Sequence, residues 1–236
     1  MKLLVIAPVL YRSRKKGLGL YQQLVKPDTT VELIHIEKGP RSIETYYDEA
    51  MAIPDVLRIV NEHKDSCDGI MMDCFQDPGV HAARELVDVP VLGPAETSMS
   101  VASLIAPKFS IISVPMNSGP MFELHAKQLG LSSQLAASIG VDIPVLNLEE
   151  DQEKAVEEVV KAAIWTIEER GAEAVILGCT GMTGFAKAIQ EKLPVSVIEP
   201  ATTTLKMLEL LVDLGLQHSH IGLYMYPQLD KIVLDP

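Results

Sequence analysis

Two of the three cysteines stand at matching places in the chain. The runs Cys67-Asp68-Gly69-Ile70-Met71-Met72-Asp73-Cys74 and Ala172-Glu173-Ala174-Val175-Ile176-Leu177-Gly178-Cys179 lie 105 positions apart. Each passes from an acidic residue through a small residue and an apolar segment to one further residue and a cysteine. A thiolate on one face of a bound carbon can remove a proton while a thiol on the other face delivers one. That inverts a stereocentre, and the reverse reaction needs only that the two groups exchange protonation states. Asp77-Pro78, just beyond Cys74, reads as the N-cap and first residue of a helix over 78–86. Cys179 precedes the turn Gly181-Met182-Thr183-Gly184, with Thr183 as N-cap of a helix over 185–191. A helix N-terminus favours the thiolate, so both thiols are expected below the ordinary value of about 8.5. Cys67 falls outside the strand-end position and reads as a small core side chain, the usual fate of a free cysteine. No Cys-x-x-Cys motif accompanies the thiols, which argues against zinc, and His218 and His220 read as surface residues.

The elements that must position these thiols are legible as short apolar runs at 3–7, 31–36, 69–72, 90–92, 109–114, 144–146, 174–177 and 195–198. Apolar on both faces, they read as strands covered by helices on both sides. Helical patterns lie between them, the clearest over 150–170 and another over 42–63, the latter expected to break at Pro54. Strand-helix alternation of this kind means parallel α/β architecture. Further landmarks keep the cysteine offset to within two residues. Val89-Pro90-Val91 matches Leu193-Pro194-Val195, Pro94-Ala95 matches Pro200-Ala201, and Val5-Ile6-Ala7-Pro8 matches Ile112-Ser113-Val114-Pro115. The chain therefore reads as an internal duplication: two similar α/β lobes about a pseudo-two-fold axis, one from 1–95 plus 206–236 and the other from 96–205. Ligands of parallel sheets bind beyond the carboxyl ends of the strands, which puts the two cysteines across one cleft.

Composition narrows the function classes. The 236 residues carry a formal net charge of -12 with no long basic run, which argues against nucleic acid or an anionic membrane as partner. Three cysteines suit a reducing cytoplasm better than a disulfide scaffold. The apolar start of the chain is interrupted by Pro8 and reads as a buried strand rather than a leader; no apolar span reaches membrane length. Gly17-Leu18-Gly19 lacks the third glycine of a dinucleotide loop, so no nucleotide cofactor is indicated. The one basic cluster, Tyr11 to Lys16, follows the first strand, where Arg12 could clamp a carboxylate; it reads equally as a solvated loop. An apolar excess with one tryptophan and four phenylalanines makes a homo-oligomer the expected state.

The motifs carry a family resemblance. Cys74-Phe75-Gln76-Asp77-Pro78-Gly79 with Ala82-Ala83-Arg84-Glu85, and Leu177-Gly178-Cys179-Thr180-Gly181-Met182, resemble the two cysteine segments of the aspartate/glutamate/hydantoin racemase family. Gly39-Pro40-Arg41-Ser42-Ile43-Glu44 followed by Tyr47-Asp48-Glu49-Ala50 is similar to a segment of its hydantoin racemase branch. The resemblance implies two Rossmann-like lobes with the active site between them, and proton transfer by both cysteines without a cofactor or metal. It departs from the branch after the first strand, where an Asn-Pro-Asn-Thr-like loop is replaced by Ala7-Pro8-Val9-Leu10 and only the proline is kept. Cys179-Thr180 is closer to the amino-acid racemases of the family than to its hydantoin branch.

The expected activity is a cofactor-independent racemase or epimerase of a small molecule with an acidic C–H bond beside a carbonyl, of hydantoin or amino-acid type. Cys74 and Cys179 are its acid and base. Backbone donors at Phe75, Gln76, Thr180 and Gly181 are expected around a developing enolate oxygen. Pro8, Tyr11, Arg12, Ser113 and Val114 are expected to complete the substrate pocket. Two alternatives stay open: a maleate isomerase-like enzyme with one cysteine attacking covalently, and a small-anion-binding protein without activity.

Overall fold

Leu3, Leu4, Val5 and Ile6 are fully buried although neighbours along a strand face opposite sides, so both faces of the first sheet must be covered. They belong to β1 (Lys2–Ala7), which pairs in parallel with β2 (Thr30–His35) and β3 (Gly69–Met72); β3 in turn pairs with β4 (Val91–Leu92), giving the order β2-β1-β3-β4. A second sheet repeats this with β5 (Phe109–Ser113), β6 (Leu135–Gly140), β7 (Ala174–Leu177) and β8 (Ser196–Ile198) in the order β6-β5-β7-β8. These eight strands belong to the residues described by a computed structural model of the chain: 1–10, 17–114, 116–148 and 150–228.

The duplication extends to single hydrogen bonds. Asp73 N–H donates to the Ile6 carbonyl at 2.7 Å and Gly178 N–H to that of Ile112 at 2.7 Å. Ile36 N–H donates to Ala7 at 3.1 Å, and Val141 N–H to Ser113 at 2.8 Å. Each cysteine thus leaves its sheet at the same point of the same ladder.

Helices cover both faces of both sheets. Leu4, Ile6, Ile70 and Met72 pack against α2 (Tyr46–His63) and α3 (Val80–Arg84). On the other face Leu3, Val5 and Met71 meet Tyr21 of α1 (Leu18–Leu24) and Leu205 and Leu208 of α8 (Pro200–Asp213). In the second sheet Ile112, Val175 and Leu177 face α6 (Gln152–Arg170) and α7 (Ala186–Gln190). Phe109, Ile111 and Ile176 face α4 (Pro94–Ile105) and α5 (Ser118–Gln128). The two central helices are exchanged: α4 follows the first sheet but packs on the second, and α8 follows the second but packs on the first. Each fully buried aliphatic side chain of these layers contributes roughly 1.5–3 kcal/mol.

Four local expectations are corrected. Residues 144–146 are not a strand; Pro144 leads into a 3₁₀ turn (Val145–Asn147) whose apolar side chains face the cleft. The strand at this stage of the second lobe is β6, an edge strand of small residues without the apolar run of its counterpart. Helix α2 passes unbroken through Pro54, which lies on its exposed face where the carbonyl it leaves without a partner can meet water. It starts from a capping box between Thr45 and Asp48. Asp77 does not cap the helix after it: its backbone is left-handed at φ 55°, and α3 begins only at Val80. Thr183 caps nothing either; its hydroxyl donates back to the Thr180 carbonyl at 2.6 Å, and α7 begins at Ala186.

Candidate active site

Beyond the carboxyl ends of β3 and β7, the chain makes two similar turns that meet. The hydroxyl of Thr180 donates to the carbonyl of Asp73 at 3.1 Å, tying the turn after Cys179 to the residue before Cys74. Both cysteines line one cavity of about 120 Å³ between the sheets. A cavity of about 150 Å³ takes up a benzene-sized molecule, so this space suits one small ring.

The turns treat their sulfurs alike. Gly181 N–H donates to Cys179 Sγ at 3.3 Å, and Gln76 N–H, at the matching position, hydrogen-bonds Cys74. Such a donor favours a thiolate. For Cys74 it does not prevail: burial pushes the thiol well up, with the neighbouring Cys179, Asp73 and Asp77 adding to the rise. This overturns the expectation that a helix N-terminus lowers the Cys74 thiol, because α3 starts six residues further on. Cys179 does hold an N-cap position, that of a 3₁₀ turn (Thr180–Met182). Glycine is required just before it: a Cβ on Gly178 would stand 2.5 Å from that of Ser113 and 2.8 Å from Cγ2 of Ile111.

Of the residues expected at the site, Cys74, Phe75, Gln76, Val114, Cys179, Thr180 and Gly181 line the cavity together. Pro8 is buried but is not in the lining, where its neighbours Ala7 and Val9 are. Ser113 stands behind the wall, its hydroxyl donating to the Gly178 carbonyl at 2.5 Å. Tyr11 and Arg12, with the rest of the basic cluster, lie outside the described residues. His218 and His220 are half-buried against the first lobe, away from the cavity, where Nε2 of His218 lies 3.0 Å from the Val91 carbonyl.

The structure adds lining residues that sequence reasoning did not assign: Tyr21, His35, Arg41, Ile43, Phe122 and Leu148. Arg41 and Ile43 lie inside the hydantoin-branch segment, which was the signal for them. Tyr21 is a buried phenol that donates to Asp73 at 2.5 Å; burial and the adjacent carboxylate push its pKa well up. Phe122 packs edge-to-face on Phe75 with ring centroids 4.8 Å apart. Among the described residues no group of three or more potential metal ligands occurs, and no helix is long and apolar enough to cross a membrane.

A family model described as Asp/Glu/Hydantoin racemase matches residues 19–208, which include both cysteine turns. The chain belongs to this family. A hydantoin racemase of Pseudomonas sp. (strain NS671) is 34% identical over 235 residues, covering 99% of this chain and 94% of the relative. Among solved structures, allantoin racemase from Klebsiella pneumoniae superposes with a TM-score of 0.91 at 33% identity, over 100% of this chain and 96% of its own. Allantoin racemase from Pseudomonas fluorescens does so with a TM-score of 0.94 at 27% identity, over 99% of this chain and 100% of its own. The family thus makes this chain an isomerase of the racemase class, and its two repeated lobes are the family's fold.

Proposed function

We propose that the chain racemises a small cyclic ureide of the hydantoin or allantoin type by moving protons between Cys74 and Cys179, without a cofactor. The observation that carries this reading is the meeting of two equivalent cysteine turns at one ring-sized cavity. In each turn a backbone N–H two residues on faces the sulfur. In the proposed cycle one thiolate removes the proton on the carbon beside the ring carbonyl, and the other thiol returns one to the opposite face. Burial, which pushes the Cys74 thiol up, suits it to the proton-donor role in the resting form. With the Gln76 and Gly181 N–H groups facing the sulfurs, this reading gives the enolate oxygen to the backbone N–H groups of Phe75 and Thr180, two residues that line the cavity. Val9, Leu33, Ile43, Val114, Phe122 and Leu148 give the cavity apolar walls that favour a neutral ring over a dicarboxylate.

The test is a panel of enantiopure hydantoins, allantoin and amino acids in deuterated water. It should show inversion with deuterium entering at the stereocentre of the ureides; inversion should be lost in both Cys74→Ser and Cys179→Ser, each keeping exchange only from the enantiomer that its remaining thiol deprotonates. Full racemisation by either variant would refute the two-thiol assignment.

A further inference from the structure

The two cysteine turns are each clamped by a carboxylate, from opposite directions. In the first lobe the carboxylate comes from the turn. Asp77 N–H donates to the Cys74 carbonyl at 3.0 Å, closing the turn. The Asp77 side chain then accepts the Ala95 and Glu96 N–H groups of α4, both at 2.9 Å. The fit is close. A Cβ on Gly93 would overlap the Asp77 carboxylate, whose atoms are the three nearest to it, so glycine is needed there. In the second lobe the carboxylate comes from the helix. Glu199, the N-cap of α8, accepts Gly184 N–H of the Cys179 segment at 2.5 Å and also takes the hydroxyl of Thr202. The exchanged packing makes these clamps span the lobes. Asp77 fastens the Cys74 turn to the helix that lies on the Cys179 sheet, and Glu199 fastens the Cys179 segment to the helix that lies on the Cys74 sheet.

We propose that Asp77 and Glu199 are positioning residues that set where the two thiols stand relative to each other across the bound carbon. This rests on the two-thiol racemase reading. Neither carboxylate lines the cysteine cavity, so neither touches substrate. Each acts by holding a turn. Inversion needs both sulfurs in place at once, whereas exchange with solvent at one face needs only the sulfur on that face.

The experiment separates the two. Inversion and deuterium uptake with retention are measured from each enantiomer, in wild type, Asp77→Ala, Asp77→Asn, Gly93→Ala, Asp77→Ala with Gly93→Ala, and Glu199→Ala. With the Cys74 turn loosened, Asp77→Ala should lose inversion by about 100-fold, the scale of a 1 Å misplacement. Exchange with retention should survive within about threefold from the enantiomer that Cys179 deprotonates. Glu199→Ala should show the mirror pattern, keeping exchange from the other enantiomer. Asp77→Asn retains one acceptor and should fall between Asp77→Ala and wild type. Gly93→Ala displaces the same carboxylate from the helix side, so its effect should not add to that of Asp77→Ala. Inversion and exchange falling in parallel from both enantiomers, or neither falling, would overturn the assignment, as would additivity of the Asp77 and Gly93 substitutions. A wild-type chain that exchanges no proton on any ureide refutes the racemase reading itself and the positioning roles with it.

Discussion

Thr180 is a sharp probe of how the two cysteine turns are held together. It is 5% exposed, and its hydroxyl supplies the hydrogen bond to the Asp73 carbonyl across the cleft. Two near-isosteric substitutions dissect it. Thr180→Val keeps the bulk and removes the donor; Thr180→Ser keeps the donor and removes a methyl. Losing a buried hydrogen bond costs about 0.5–1.5 kcal/mol, and more where the buried carbonyl is left short of a partner. About 1–2 kcal/mol is therefore expected for valine. Losing one buried methyl costs about 0.8 kcal/mol. At roughly 2–4 °C per kcal/mol for a chain of this size, valine should lower the melting temperature by about 2–8 °C and serine by about 2–3 °C. Activity should separate them further. With the bond gone the turns are free to shift, and a shift of a fraction of an ångström costs about tenfold or more in inversion. Serine should stay within about threefold of wild type. The assay is thermal unfolding beside polarimetric racemisation of a hydantoin. If valine proves as active as serine, the cross-lobe bond is not what keeps the thiols in place, and the reasoning fails.

Further outcomes follow from other contacts. Gly178→Ala should cost about 1–3 kcal/mol by overpacking against Ser113 and Ile111, read as a lower denaturation midpoint in urea, and Ser113→Gly should recover part of it. Arg84 is 5% exposed and pairs with Glu96 while its Nε and Nη2 donate to the Val91 carbonyl at 3.0 and 2.9 Å. Arg84→Ala should cost about 3 kcal/mol, the low end for breaking a buried pair because the Glu96 carboxylate is only half-buried, and Glu96→Gln in that background should restore part of the stability. Burial raises the Cys67 thiol to about 11. An unfolded chain releases that proton near pH 8.5, so the folded form binds more protons between those values and stability falls as pH rises. Cys67→Ala should blunt this loss, leaving the share due to Cys74, in melts compared at pH 7 and pH 10.

Much of the fold was legible because the duplication leaves the same punctuation twice. The apolar runs ending at Met72 and Leu177 are strands at the centre of a sheet, where both faces are buried and every side chain must be apolar. Strand β6 escaped because an edge strand of small residues needs no such run, while residues 144–146 imitate one for a different reason: their side chains wall a cavity. The thiols were found from spacing alone, yet the state of Cys74 was not, since burial is a tertiary quantity that outweighs the local donor. Asp77-Pro78 looked like the start of the next helix. Its carboxylate serves a helix 18 residues on, and a local motif carries no mark of that. The side chains that reach the cavity from other elements, such as Tyr21 and Phe122, left no pattern in their own segments.

The exchange of α4 and α8 between the sheets bears on where such a chain came from. A half-length ancestor ending in the counterpart of α4 could not have covered its own sheet with that helix. The inner face, built from residues such as Leu3, Val5 and Met71, would have stood bare in a single copy. Two copies trading their last helices would have solved this, as domain swapping does, and would have brought two identical thiols together about a dyad. A single fused chain keeps that exchange while leaving each half free to differ. One lobe now fastens its turn from the turn and the other from the helix, a difference that no symmetric pair could have held.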